Sequence, residues 1–435
     1  MTAAALQQTS PTVMVEHNTD LPLVSISVAV RLGALADPLG VEGATRLLAR
    51  LMKRSAGGRS AEIIDAEIDA MGGALSVDVS ASTIVFHGAV IARSLARFAD
   101  LLVDVVARPG LDEGELGLLK RETEAELVEA LDDDRTLARR WFRRSMFGGH
   151  PYGRPISGTA TTLAAVTPDT LRALYRRLFV RENLMFAFSG YVLESEAHAI
   201  AERIAAALPS GAVARDETPE PAAPAGRRLV IVDKPDRTQT QIIIGGLGSH
   251  PSDPDHFPLL LANTAFGGTF TARLMQEVRV KRGWSYGAYA SLPYDRRRQA
   301  FSMWTFPKAG DAAECIKLEL ELLAQWRQSG ISEGELAWCK DFLVRSHAFA
   351  IDTASKRVGL LLDAALYDLP PGYHARYLDA IKAVTLESAN RAVAERIPSD
   401  NLVLTVVGTE PQIGDSVRSA IANLGHHEVV PYDTE

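Results

Sequence analysis

The sequence predicts a protein of two homologous halves, each α+β or α/β with helices covering a sheet. Three observations carry that expectation. The string DEGELGLLK, starting at Asp112, recurs as SEGELAWCK from Ser332, and both copies put a capping residue and acids at the head of a helix. The string ENLMFAFSGY, with Asn183 and Gly190, recurs at a nearly equal offset as DNLVLTVVGT, with Asn401 and Gly408. Each follows a helical run introduced by Thr167-Pro168 or Thr385-Leu386. Between the copies, LPSGAVARDETPEPAAPAGRR (residues 208–228) is rich in Pro, Ala, Gly and charge and has no apolar periodicity, so it reads as a linker. The halves are then residues 1–207 and 229–435. Convergent capping and strand chemistry is the plainer alternative to a true repeat.

The strands follow from alternating apolar runs: Leu23 to Val30, Ala74 to Ser80 and Thr83 to Val90 in the first half, then Leu229 to Val232, Gln239 to Gly245 and Gln299 to Phe306 in the second. Long amphipathic helices are interleaved with them. A chain of 435 residues, 47% of them hydrophobic, is long enough for more than one core.

Composition excludes some functions. With 46 Lys plus Arg against 54 Asp plus Glu, the net charge of -8 offers no footprint for a phosphate backbone, so nucleic acid is not an expected partner. Cys315 and Cys339 are the only cysteines, and both sit in helical stretches, which argues against a disulfide framework or a cysteine metal site and suits a reducing compartment. The N-terminus lacks the basic and apolar regions of a leader, and no stretch approaches the roughly 18 apolar residues that span a bilayer. A soluble, cytoplasmic chain without membrane partners is the expectation.

Residues 41–54, VEGATRLLARLMKR, place Val41, Ala44, Leu47, Leu48, Leu51 and Met52 on one helical stripe and Arg46 and Arg50 four apart on another face. With RLGALADP, residues 31–38, and the strand before it, this string resembles the start of the insulinase/pitrilysin family of metallopeptidases, where the same place reads roughly GLAHLLEHLMFRGT. The resemblance implies an α+β fold in which each half is a mainly antiparallel sheet covered by helices, a two-layer α/β sandwich, and it implies two zinc-binding histidines with a water-activating glutamate between them. Here the histidine positions fall on Arg46 and Arg50 and the glutamate on Ala49. A guanidinium has no lone pair to donate, and Ala49 cannot accept a proton. The family's third ligand falls on Leu127, which continues a stripe of Leu116, Leu119, Thr123 and Leu131 and reads as core; Glu126 is its neighbour. One carboxylate cannot hold a catalytic zinc, which takes three protein ligands. None of the ten histidines are three or four apart, and the adjacent His426 and His427 lie in a polar tail. No metal is therefore expected in this chain. Arg46 and Arg50 are either solvent-facing or acid-paired helix residues, or they replace the charge of a missing cation.

The second half contains LLLANTAFGGTFTARLMQEVRVKRGWSYGAYASL, residues 259–292. Leu274 and Val278, with Phe270 and Ala265 before them, predict a short amphipathic helix, Gly283 suits the left-handed residue that ends one, and Trp284 would start a strand. That layout brings the Arg279 guanidinium near the Tyr286 phenol. Gly267 and Gly268 predict a tight turn. Lys281 and Arg282 read as solvated charge. The string resembles the family's C-terminal signature, with Gly267, Gly268, Arg279, Gly283 and Tyr286 at matching positions. There the resemblance implies a grip on the substrate backbone, the tyrosine near the carbonyl that becomes the oxyanion. A surface cation-π or salt-bridged pair is the plainer reading. A third resemblance, FGGHPYGRPISGT from Phe147, makes His150 a packed loop residue rather than a catalytic base.

Together these features imply the zinc-less, non-catalytic subunit of a heterodimeric zinc metalloendopeptidase, with Arg279 and Tyr286 completing the site of a homologous partner that carries His-x-x-Glu-His and the zinc. Unfolded peptide is the implied substrate. A structural subunit like the peptidase-derived core proteins of respiratory complexes and a peptide-binding homodimer are the alternatives.

Overall fold

The computed structural model describes residues 11–435; the first ten, part of the N-terminus read as lacking a leader, lie outside them. The chain forms two compact units. One comprises the segment ending at Leu127 together with Pro155–Thr218 and Phe349–Asp368, the other Val128–Arg154, Pro219–Ala348 and Leu369–Glu435.

The first unit holds a five-stranded sheet made from β1 (Thr12–His17), β2 (Leu23–Arg31), β5 (Ala74–Val79), β6 (Thr83–Ile91) and β7 (Leu184–Gly190), beside a small ribbon of β3 (Ser55–Ala56) and β4 (Arg59–Ser60). The order is β1-β7-β2-β6-β5, parallel between β1 and β7 and antiparallel elsewhere. Every residue of β7 from Leu184 to Ser189 is buried, as its unbroken apolar run requires of a strand covered on both faces. β5 alternates between covered and exposed positions, as befits the outermost strand. One cover of this sheet comes from far along the chain: the helix Ala354–Leu366 sets Val358, Leu362 and Leu366 against Ala29, Val85, Met185 and Ala187.

The second unit holds β8 (Arg227–Asp233), β9 (Gln241–Leu247), β10 (Ala288–Ser291), β11 (Ala300–Thr305), β12 (Val403–Gly408) and β13 (Leu424–Pro431), in the order β10-β11-β9-β12-β8-β13. The β8–β12 and β8–β13 pairs are parallel and the rest antiparallel. Apart from β13, this is the strand order of the first sheet with β8, β9, β10, β11 and β12 in the places of β1, β2, β5, β6 and β7. The helix Asp134–Phe147 packs on β8, β9 and β12, although it lies in the first half of the sequence. Each unit thus takes a helix from the other half, a placement that no linker composition encodes.

The repeated strings occupy equivalent elements. The helices Glu113–Ala130 and Glu333–Ala350 are both 18 residues long. Asp112 Oδ1 accepts from Glu115 N at 3.0 Å in one, and Ser332 Oγ from Glu335 N at 3.2 Å in the other. Thr167 and Thr385 each build a capping box, with Thr170 and Ser388.

Candidate functional site

The arginine-bearing helix, Ala44–Met52, is fixed at its head by Asp37. Its carboxylate accepts from Gly43 N and Thr45 N, both at 2.8 Å, and from the Thr45 hydroxyl. Burial pushes the Asp37 carboxyl up to about 6 against the opposing pull of the Thr45 and Gly43 bonds. Gly43 stands at φ +93°, and a Cβ there would meet the Ser157 carbonyl at 2.9 Å, so glycine sets both the turn and the close approach.

Of the predicted stripe, Ala44, Leu47, Leu48, Leu51 and Met52 are buried, while Val41 precedes the helix and is only partly buried; Ala49 is fully buried as well. Arg46 and Arg50 both reach one carboxylate. Arg50 Nη2 lies 2.7 Å from Glu126 Oε1 and its Nη1 3.1 Å from Oε2, while Arg46 Nη2 is 2.9 Å from Oε2. Arg50 Nη1 also donates to Thr123 Oγ1 at 3.1 Å. Burial raises the Glu126 pKa, but the bonds from Arg50 and Arg46 outweigh it and hold the carboxyl below its ordinary range. Leu127, where the family's third ligand was placed, packs half-buried against the core. The acid that faces the arginines is Glu126, a one-residue correction: Leu127 follows Thr123 by four on the inward stripe, and Glu126 by three at its rim. Guanidinium, a buried methyl and one carboxylate do not fit a zinc ion. Among the described residues, no group of three or more His, Cys, Asp or Glu is placed to hold a metal ion.

In the second unit, the sequence places a π-helical turn, Thr264–Gly268, after the helix His256–Asn263, and a second π-helical stretch at Met275–Val280. The expected tight turn at Gly267 and Gly268 is instead the end of the first. Gly267 is required there because a Cβ would lie 2.5 Å from Ala290 on β10, whereas at Gly268 the nearest atom would be 3.4 Å away. Phe270 is not part of a buried stripe but 56% exposed. Gly283 takes φ +66°, and Trp284 N closes the helix end on Val278 O at 3.1 Å. Trp284 does not start a strand; β10 begins at Ala288, and Ser285, which donates to Gly287 O at 2.7 Å and accepts from Phe306 N at 3.1 Å, shapes the loop between.

Arg279 and Tyr286 do meet. The guanidinium carbon stands 4.3 Å from the Tyr286 ring centroid and 4.3 Å from that of Phe270. Arg279 Nη1 is buried without a hydrogen-bond partner, and among the described residues no carboxylate pairs with this arginine. Lys281 and Arg282, by contrast, both pair with Glu277. Tyr286 is 74% exposed. Stacking on two rings leaves a guanidinium's hydrogen-bonding capacity unspent, and the exposed phenol beside it adds another donor. His150 is a loop residue, with Nε2 at 2.9 Å from Pro219 O and Nδ1 accepting from Tyr152 N at 3.1 Å. Sequence reasoning missed Phe270 and Asp37. Phe270 was assigned to the core, while Asp37-Pro38 before a glycine-led helix carried a capping signal that could have been read.

The fold is thus a mixed α/β one with two main sheets, one in each unit. Two family models divide most of the chain between them, the insulinase family, peptidase family M16, at residues 12–160 and the peptidase M16 inactive domain at residues 165–343. The chain belongs to the insulinase (M16) peptidase family. It is 28% identical over 401 residues to an uncharacterized zinc protease of Mycobacterium leprae, covering 91% of this chain and 89% of that one. It is 20% identical over 416 residues to a non-peptidase homolog of Helicobacter pylori, covering 94% of each. In fold it is similar to the peptidase M16 inactive domain from Pseudomonas fluorescens, with a TM-score of 0.85 at 24% identity over 92% of this chain and 96% of that one. A protease from Helicobacter pylori gives a TM-score of 0.83 at 15% identity, over 91% and 96%.

Proposed function

We propose that this chain is the zinc-less, non-catalytic subunit of a heterodimeric M16 zinc endopeptidase. One observation carries the reading: the positions that would bind zinc are closed by the Arg46–Glu126–Arg50 ion pairs, while Arg279, with no ion pair among the described residues, stands 4.3 Å from the ring of the exposed Tyr286. The partner is a homologous subunit with His-x-x-Glu-His, and the zinc belongs to it. Arg279 donates to a substrate backbone carbonyl and Tyr286 to the oxygen on which charge develops, so both act on transition-state charge in the partner's site. Gly267 acts by letting β10 approach the arginine's helix, and Gly268 ends the same turn. The substrate is an unfolded peptide, whose backbone offers free carbonyls. Among the described residues no helix is long and apolar enough to cross a membrane. Residence in the cytoplasm is part of the same proposal, in keeping with two buried free cysteines.

Reconstitution tests it. The purified chain alone leaves an unfolded peptide intact, and addition of a homologous subunit with His-x-x-Glu-His gives cleavage that neither gives alone. Equal cleavage by that subunit on its own supports a structural role instead, and a peptide-binding homodimer without cleavage supports the third reading.

A further inference from the structure

A second site lies in the second unit, between the helix Asp134–Phe147 and one face of β9, β10 and β11. It is a cleft of about 450 Å³, lined on the helix side by Arg135, Arg139 and Arg143 and on the sheet side by Trp304 and Tyr289. That volume is typical of ligand sites. No acidic residue lines it.

The three arginines recur every fourth residue, so successive guanidiniums leave the helix about 6 Å apart. Arg135 lies flat on Trp304, its guanidinium carbon 3.6 Å from the ring centroid, and its Nε is buried without a partner. Arg139 is exposed and has no ion pair among the described residues. Arg143 gives Nη2 to Tyr152 O at 2.8 Å. Asp133 caps the helix, accepting from Arg135 N and Thr136 N, while Asp295 accepts from Arg296 N at 2.7 Å and also acts on Arg143. Like charges four apart oppose one another, and burial together with Arg139 lowers the Arg135 pKa against the pull of Asp133. Another edge of the same helix holds a peptide oxygen: Arg140 donates to Thr434 O at 2.9 Å.

We infer that this cleft binds an extended peptide segment with acidic side chains at alternate positions and apolar side chains between them. In an extended chain, alternate side chains are about 6.5 to 7 Å apart and point the same way. Acids at i and i+2 therefore meet Arg135 and Arg139 in step, each guanidinium taking a carboxylate. The intervening side chain points to the Tyr289 and Trp304 rings, which stack with each other at 6.2 Å. This binding belongs to the chain alone and does not depend on the proteolytic reading.

The test is fluorescence anisotropy of a labelled, end-blocked Glu-Leu-Glu-Leu-Glu peptide with the purified chain, beside its Gln-Leu-Gln-Leu-Gln counterpart. The acidic peptide binds at least tenfold more tightly, and Arg139→Gln weakens it at least fivefold. Arg172→Gln, which removes the same charge from an exposed residue of the other unit, leaves it unchanged. Equal affinity for the two peptides, an equal loss in Arg172→Gln, or displacement of the peptide by millimolar inorganic phosphate at unaltered ionic strength would overturn the assignment, the last by making the cleft a small-anion site.

Discussion

Arg50 meets Glu126 through two parallel bonds, Nη2 to Oε1 at 2.7 Å and Nη1 to Oε2 at 3.1 Å, and Arg46 takes the remaining lone pair of Oε2. One carboxylate thus bridges two guanidiniums that stand a single helical turn apart, with Glu122 Oε2 a further 3.9 Å contact of Arg50 Nη2. Because the group is only half-buried, its worth is that of a well-formed surface network rather than of a core ion pair. Glu126→Gln removes the shared anion and should lower stability by roughly 1 kcal/mol, read as a lower midpoint in urea. A midpoint unchanged in that variant would mean that the network contributes nothing.

The same pairing predicts metal content. After equilibration with excess zinc and desalting, the chain should retain well under about 0.5 zinc per molecule, since an occupied site needs three protein ligands and this one offers a single carboxylate. Stoichiometric zinc by atomic absorption would contradict the assignment.

Asp37 fixes the head of that helix through three bonds to Gly43 and Thr45. Asp37→Ala leaves two backbone N–H groups of a buried helix start without acceptors. The expected cost is about 1 to 3 kcal/mol. Calorimetric melting of the variant checks this, and a wild-type melting temperature would refute it.

Glu319 is fully buried, and burial pushes its carboxyl up to about 8, against one bond from the Thr305 hydroxyl. A carboxyl whose native pKa lies above its unfolded value keeps its proton in the native state after the unfolded chain has lost it. That contribution is whole below pH 4.5, declines by about 1.4 kcal/mol per unit as pH rises toward 8, and is gone above. Glu319→Gln cannot ionise, so its stability relative to the parent should increase from pH 5 to pH 8. Urea titrations at both values measure the difference, and a difference that is constant or shrinks with pH would contradict the burial argument.

The elements that carry function through local rules were legible in the sequence. The repeated helix heads, the Thr167 and Thr385 caps, the buried stripe of the arginine helix and the left-handed Gly283 each depend on a few adjacent residues. So did the failure of Arg46, Ala49 and Arg50 as ligands, which is chemistry rather than geometry. What was not legible depends on distant contacts. Choosing Glu126 over Leu127 needs the rotation of one helix against another. The loop that carries Tyr286 is shaped by Ser285 bridging to Phe306 on a later segment. The stacking of Phe270 on Arg279 reverses the inward direction that periodicity assigned to it. The placement of the helices Asp134–Phe147 and Ala354–Leu366 is likewise a matter of tertiary packing, for which apolar periodicity gives a face but no destination.

The central claim is that Arg279 and Tyr286 act in trans on a transition state. Its most direct test is kcat/KM for cleavage of an unfolded peptide by the chain mixed with a zinc-bearing homologous subunit. Arg279→Ala and Tyr286→Phe should each lower it about 10²-fold, mainly through kcat, while the two subunits still co-elute. A kcat/KM equal to that of the unmodified mixture would contradict the account.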